Sequence, residues 1–250
     1  MKELLVPALA LTVGCSPFEV TTLRAQDWAV DELSCGDDRV GYIRWEIGSS
    51  VNFKIGMVSD KADLTRAEMA DVVDTISDAW QPLLEQYDIT LNVDREDSSY
   101  ADMYCRDLYG DQSAINDAGD VVICVSNAGG DIPFGASESE VDGEEESFVW
   151  TNPFNPDRYI YGSTVRLPYD YFVSDDETRR LDVLRELTSH EMGHVLGLKH
   201  ALDSDTLMSA SGLYATDDAY IPNPDTEGYG IDCVYKDECR DEIEVEEAED

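Results

Sequence analysis

The chain has 250 residues, with 55 Asp and Glu against 17 Lys and Arg, for a formal charge of -38 and a pI near 4.1. Such a surface excludes nucleic acid and anionic membranes as electrostatic partners, and it repels itself, so counterions must offset the charge through high salt, bound calcium or both. A solvated acidic surface serving solubility explains the charge equally well, and at 42% hydrophobic the chain can still bury a core.

Residues 1–14 give a basic start and an apolar stretch too short to span a bilayer, the pattern of a signal peptide. The LTVGC ending resembles a bacterial lipobox, which implies cleavage before Cys15 and lipidation of its thiol. Thr12 and Glu3 depart from the usual pattern, and simple secretion is the alternative. Export is expected either way, as an outer-membrane or cell-surface lipoprotein touching the membrane only through that anchor, or in free form. Residues 15–40 then form a tether. Five more cysteines follow, Cys35, Cys105, Cys124, Cys233 and Cys239, which an exported protein oxidises into disulfides. One assignment pairs Cys105 with Cys124, and Cys35 with Cys233 or Cys239; the number is odd and the sequence does not determine connectivity.

Within 41–236 the first strong signals are a strand at 51–56 and a helix opened by a capping box, Thr65 with Glu68. Met69, Val72, Val73, Ile76, Trp80, Leu83 and Leu84 recur at helical spacing, so that face packs on a sheet, and Pro82 should loosen the last turn. Branched and aromatic runs predict strands at 89–94, 120–126, 147–152 and 159–167, with a polar loop at 127–146. Ser174 and Glu177 are expected to cap a second helix, and the tail, 237–250, has seven acids in its last ten residues and is expected to be disordered.

That second helix carries the chemistry. All three histidines of the chain, His190, His194 and His200, lie in the eleven-residue string HEMGHVLGLKH. Residues four apart project from one helix face about 6 Å apart along the axis, so one metal ion can take His190 and His194. Gly197 can adopt a left-handed backbone, ending the helix and letting His200 approach from the side. Three nitrogens leave one position open on a tetrahedral zinc, the mark of a catalytic rather than a structural site. Glu191 sits roughly 100° round the helix from His190, beside the metal, where a general base is needed to take a proton from water and deliver it to a leaving amine.

HEMGHVLGLKH, followed by Met208 in TLMSA, resembles the metzincin signature of a long zinc motif and a methionine turn, and within that clan it looks most like the matrixins. Trp45 with the VNFKI run, the helix from Thr65, DVVICV, FVWTN, YIYGSTVRL and the zinc helix come in the order of a matrixin catalytic domain, over residues 41–236. The resemblance implies an α+β, zincin-like fold: a mixed twisted sheet with a backing helix and a zinc-site helix, an upper lobe over 41–197 and a small lower lobe over 198–236. It implies a zinc-dependent endopeptidase acting on extracellular proteins, with Met208 an apolar support beneath the metal and a monomer as the expected state. It also implies that substrate lies extended along an edge strand, with Ser147, Phe148, Val149, Trp150 and Thr151 as template, and that residues 209–224, with Tyr214 and Tyr220, wall the pocket beyond the cut. Tyr214 lies six residues past Met208, too far to match the tyrosine ligand of some metzincins. GGDIPFG resembles the matrixin ion-binding loop without the histidines of a second zinc site, leaving calcium at Asp131 and its neighbours. Cys35 stands where matrixins hold their zymogen-latency cysteine, but LSCGDD lacks the flanking arginine and proline; a plain disulfide is the other reading. Two rival functions stay open: an inert zinc-binding surface or adhesion module of the same fold, and a hydrolase of non-protein amides.

Overall fold

The computed structural model describes residues 19–24, 29–34, 40–96, 99–102, 119–126, 144–151, 158–172, 177–201, 205–209, 219–236 and 244–245. In chain order the strands are β1 (Glu19–Arg24), β2 (Ala29–Ser34), β3 (Val40–Arg44), β4 (Ser50–Val58), β5 (Thr90–Asp94), β6 (Asp120–Ser126), β7 (Glu144–Thr151), β8 (Arg158–Pro168), β9 (Leu198–Lys199) and β10 (Glu244–Val245). The helices are α1 (Arg66–Leu84), α2 (Tyr169–Phe172), α3 (Glu177–Val195) and α4 (Glu227–Lys236). The fold is α+β around a mainly parallel sheet.

Strands β5, β4, β6 and β8 lie side by side and parallel, and β7 runs antiparallel along β8. Register follows the hydrophobic alternation. Phe53 stands opposite Val121, Ile55 opposite Ile123, and Ile123 opposite Val165, and these rows face the core. Residues one place along point to the other face, where Lys54 and Asp120 form a buried ion pair at 2.9 Å.

Helix α1 covers the core face because its apolar residues recur every three or four positions: Met69, Val72, Val73, Ile76, Trp80 and Leu84 are all buried. Its capping box is formed as expected, with Thr65 Oγ1 accepting from Glu68 N–H at 3.2 Å and Glu68 Oε2 accepting from Thr65 N–H at 2.8 Å. Pro82 is accommodated inside the helix, which ends two residues later and passes into a 3-10 turn at Glu85–Tyr87. Helix α4 is tied back to that turn and to β3: Asp232 accepts from Tyr87 and Gln86, and Arg44 Nη1 donates to Val234 O at 2.8 Å.

The five strands expected from sequence are present, each within a few residues of its expected limits. The stretch expected to form a tether, residues 15–40, contains two strands. Glu19–Arg24 and Ala29–Ser34 are β1 and β2, paired antiparallel with each other, and β2 also pairs with β3 and β9. Runs such as EVTTLR and AVDELS have the branched, alternating composition that pairs when a neighbouring edge is available. Glu244–Val245 of the acidic tail, expected to be disordered, pair with β1. Expectations for Cys15, Cys35, Cys105, Asp131, Ser174, Tyr214 and Cys239 lie outside the described residues. No helix among the described residues is long and apolar enough to cross a membrane.

Candidate metal centre

Helix α3 presents His190 and His194 one turn apart, and the chain after it brings His200 to face them. The three rings stand 4.8 to 5.2 Å apart between centroids. Their inner nitrogens converge further, with His200 Nε2 at 3.2 Å from His190 Nε2 and 3.1 Å from His194 Nε2.

Protonation follows from the outer nitrogens. His190 Nδ1 lies 2.7 Å from Leu207 O, and His194 Nδ1 lies 2.8 Å from Leu198 O. A carbonyl can only accept, so each Nδ1 carries the hydrogen and each Nε2 turns a lone pair inward. Desolvation, and then the proximity of His190 and His200, holds His194 well below the ordinary histidine value, which keeps it a neutral ligand. Zinc bonds to histidine of about 2.0–2.1 Å in tetrahedral geometry would set the nitrogens roughly 3.3 Å apart. The donor set therefore fits zinc in element, in the protonation of His190 and His194, and in the spacing of His200 from each of them.

Glu191 follows His190 on the helix and is buried to 2% exposure. Met208 is buried as well and packs on the helix at Gly193, the residue before His194 and between the two helical ligands in sequence. A Cβ on residue 193 would overlap Met208 Sδ, so the glycine is what lets the methionine approach the helix backbone. The same segment orients a ligand through Leu207 O, and Ala201 N–H, next to His200, donates to Met208 O at 2.8 Å.

Further anchors come from distant parts of the chain. Trp80 of α1 donates through Nε1 to Ser189 Oγ at 2.8 Å, and Ser189 donates to Tyr220 O at 2.6 Å. This relay joins the backing helix, the zinc helix and the segment expected to wall the pocket. The Arg185 guanidinium lies 5.9 Å from the Tyr220 ring centroid. Ser189, Gly193 and Leu207 carried no sequence-based role. Gly193 had a visible signal, a small residue directly before the second helical histidine; Ser189 and Leu207 had none.

Of the remaining expected site residues, Gly197 ends the helix at φ +102°. Ser147, Phe148, Val149, Trp150 and Thr151 lie on β7, which among the described strands pairs with β8 alone.

A family model described as Matrixin matches residues 44–236. Among solved structures the chain is similar to metalloproteinase-II from Bacteroides fragilis, with 11% identity, coverage of 82% of this chain and 78% of that one, and a TM-score of 0.35. No curated protein matches.

Proposed function

The chain belongs to the matrixin family of metallopeptidases, and on that premise we propose that it is a zinc-dependent endopeptidase cutting extracellular proteins or peptides, with Glu191 as general base. The observation that carries this reading is the convergence of the three histidine rings, with the buried Glu191 next to His190 in the helix. Zinc held there would supply Lewis acidity, lowering the pKa of a water from about 15.7 to near 7.

The chain's own residues do the rest. Glu191 takes a proton from the attacking water as its oxygen bonds to the scissile carbonyl carbon, then delivers that proton to the amine nitrogen as the C–N bond breaks. The backbone of Ser147–Thr151 on β7 offers an edge along which an extended peptide can pair, a mode of recognition that selects polypeptide over small amides. Met208 supports the ligand helix from the Gly193 side. Export, with Cys124 and Cys233 among the cysteines that an oxidising compartment would pair, stays part of the proposal on sequence grounds. Lipidation at Cys15, calcium near Asp131 and a monomeric state remain part of the proposal on sequence grounds.

Glu191→Gln tests the assignment. The variant is expected to retain one zinc by native mass spectrometry while casein cleavage falls by about 10²–10⁴-fold. Cleavage at the wild-type rate would remove Glu191 from the mechanism. A wild-type protein that holds zinc and cuts neither casein nor peptide libraries would instead be the inert binding module.

A further inference from the structure

His200 is the exposed member of the trio, and it follows a sharp bend rather than sitting on the helix. The bend is fastened at three carbonyls within four residues. Val195 O accepts from Trp45 Nε1–H at 2.9 Å, Leu196 O accepts from the Tyr235 hydroxyl at 3.2 Å, and Leu198 O accepts from His194 Nδ1–H at 2.8 Å. Between them Gly197 lies so close to β3 that a Cβ there would stand 2.7 Å from Ile43 O. Leu198 and Lys199 then pair with Val30 and Ala29 of β2.

Two of these fasteners are linked to each other. Trp45 N–H reaches Tyr235 Oη at 3.4 Å, and that hydroxyl passes its own hydrogen to Leu196 O. Both side chains are almost fully buried, at 1% and 3% exposure. Burial raises the Tyr235 phenol far above its usual value, so it stays a donor at any working pH. They come from the start of the matched region and from α4, close to its end, and meet at the helix terminus whose carbonyls would otherwise lack helical partners.

We propose that Trp45 and Tyr235 are positioning residues for His200: by holding the 195–199 bend they preset the third ligand and so govern how tightly and how long the trio keeps zinc. This rests on the reading of the trio as a zinc site. The physical ground is preorganisation, since a ligand on an unfastened bend must be ordered each time the metal binds, which weakens affinity and speeds release. Groups that orient metal ligands commonly change affinity by about 10–100-fold when removed. Trp45 and Tyr235 act one step further back, through the backbone, so the lower end of that range applies.

The test uses the full chain loaded with zinc. Tyr235→Phe keeps the ring and removes the hydroxyl; Trp45→Phe removes the indole donor and serves if the first variant folds poorly. Zinc affinity is read by competition with a chromophoric chelator, and the release rate in excess chelator. Either variant is expected to bind zinc about tenfold more weakly and to release it about tenfold faster. Tyr87→Phe is the matched control, because Tyr87 stacks at 5.1 Å from the Tyr235 ring and donates its hydroxyl to Asp232, away from the bend. It should leave zinc release unchanged. Release within twofold of wild type in both Tyr235→Phe and Trp45→Phe overturns the proposal, as does an equal acceleration in Tyr87→Phe. A wild-type protein that binds no zinc overturns the zinc reading itself, a separate outcome.

Discussion

Helices α1 and α3 are each nineteen residues long and pack against each other, yet they are held in place by different means. The buried face of α1 is nearly all apolar. On α3 the buried set includes Asp182, Glu186, Thr188, Ser189, His190 and Glu191. Burying polar groups costs free energy unless each finds a partner, so α3 depends on neighbours where α1 depends on its own pattern. Trp80 and Tyr220 O serve Ser189, Leu207 O serves His190, and Trp45 and Tyr235 serve the carbonyls at the helix end. A helix that presents ligands cannot also present an uninterrupted apolar stripe, and the rest of the fold supplies what it lacks.

The difference can be broken most severely at the end of α3. Gly197→Ala places a side chain at φ +102° and drives its Cβ toward Ile43 O. Strained backbone and overpacking together should lower stability by about 2–5 kcal/mol in urea unfolding of the metal-free protein. Asp78→Ala, on the exposed face of α1, should stay within about 0.5 kcal/mol. Comparable losses at the two sites would mean that the bend is no more constrained than an ordinary helix surface.

A smaller effect is expected where the two helices meet. Trp80→Phe removes the donor to Ser189 Oγ and leaves part of the indole volume empty, for a loss of about 1.5–3 kcal/mol. The informative quantity is its coupling to Ser189→Ala. Because Ser189 stands between Trp80 and Tyr220 O, the double variant should depart from additivity by at least about 0.5 kcal/mol. Additivity within experimental error would mean that the two hydrogen bonds act independently and that no relay joins α1 to the Tyr220 segment.

The same contrast explains which parts of the molecule were legible in the chain. The stripe of α1, the capping box, five strands and the pair His190 and His194 with Glu191 beside them are all local patterns, with periods of two or 3.6 residues that any window along the sequence exposes. His200 was legible because Gly197 marked where the helix turns. The fasteners were not, since the Trp45 indole and Val195 O are 150 residues apart, and no period links them. Trp45 entered the sequence reading only as a marker of segment order, and Tyr235 had no role in it. The pairing of β2 with β9 was invisible for the same reason: a strand's composition does not name its partner, and a segment reading as a tether becomes a strand when another edge lies beside it.

The mildest test concerns α1 alone, where the local pattern should suffice. Thr65→Ala removes a hydroxyl that both accepts from Glu68 N–H at 3.2 Å and donates to Glu68 Oε2 at 2.7 Å, and should cost about 1 kcal/mol near neutral pH. The side-chain bond from Thr65, followed by its backbone N–H, lowers the Glu68 carboxyl below its ordinary value of 4.5. A group whose folded value is depressed stabilises the fold above its ordinary value, and that contribution fades as pH falls through the folded value. The bond to the carboxylate is therefore lost in acid, while the bond from Glu68 N–H to the hydroxyl does not titrate. Urea unfolding of wild type and Thr65→Ala should converge in part below about pH 4, without meeting. A gap that widens in acid would show that the capping box is not what starts α1, and that even the scaffold helix depends on something outside its own sequence.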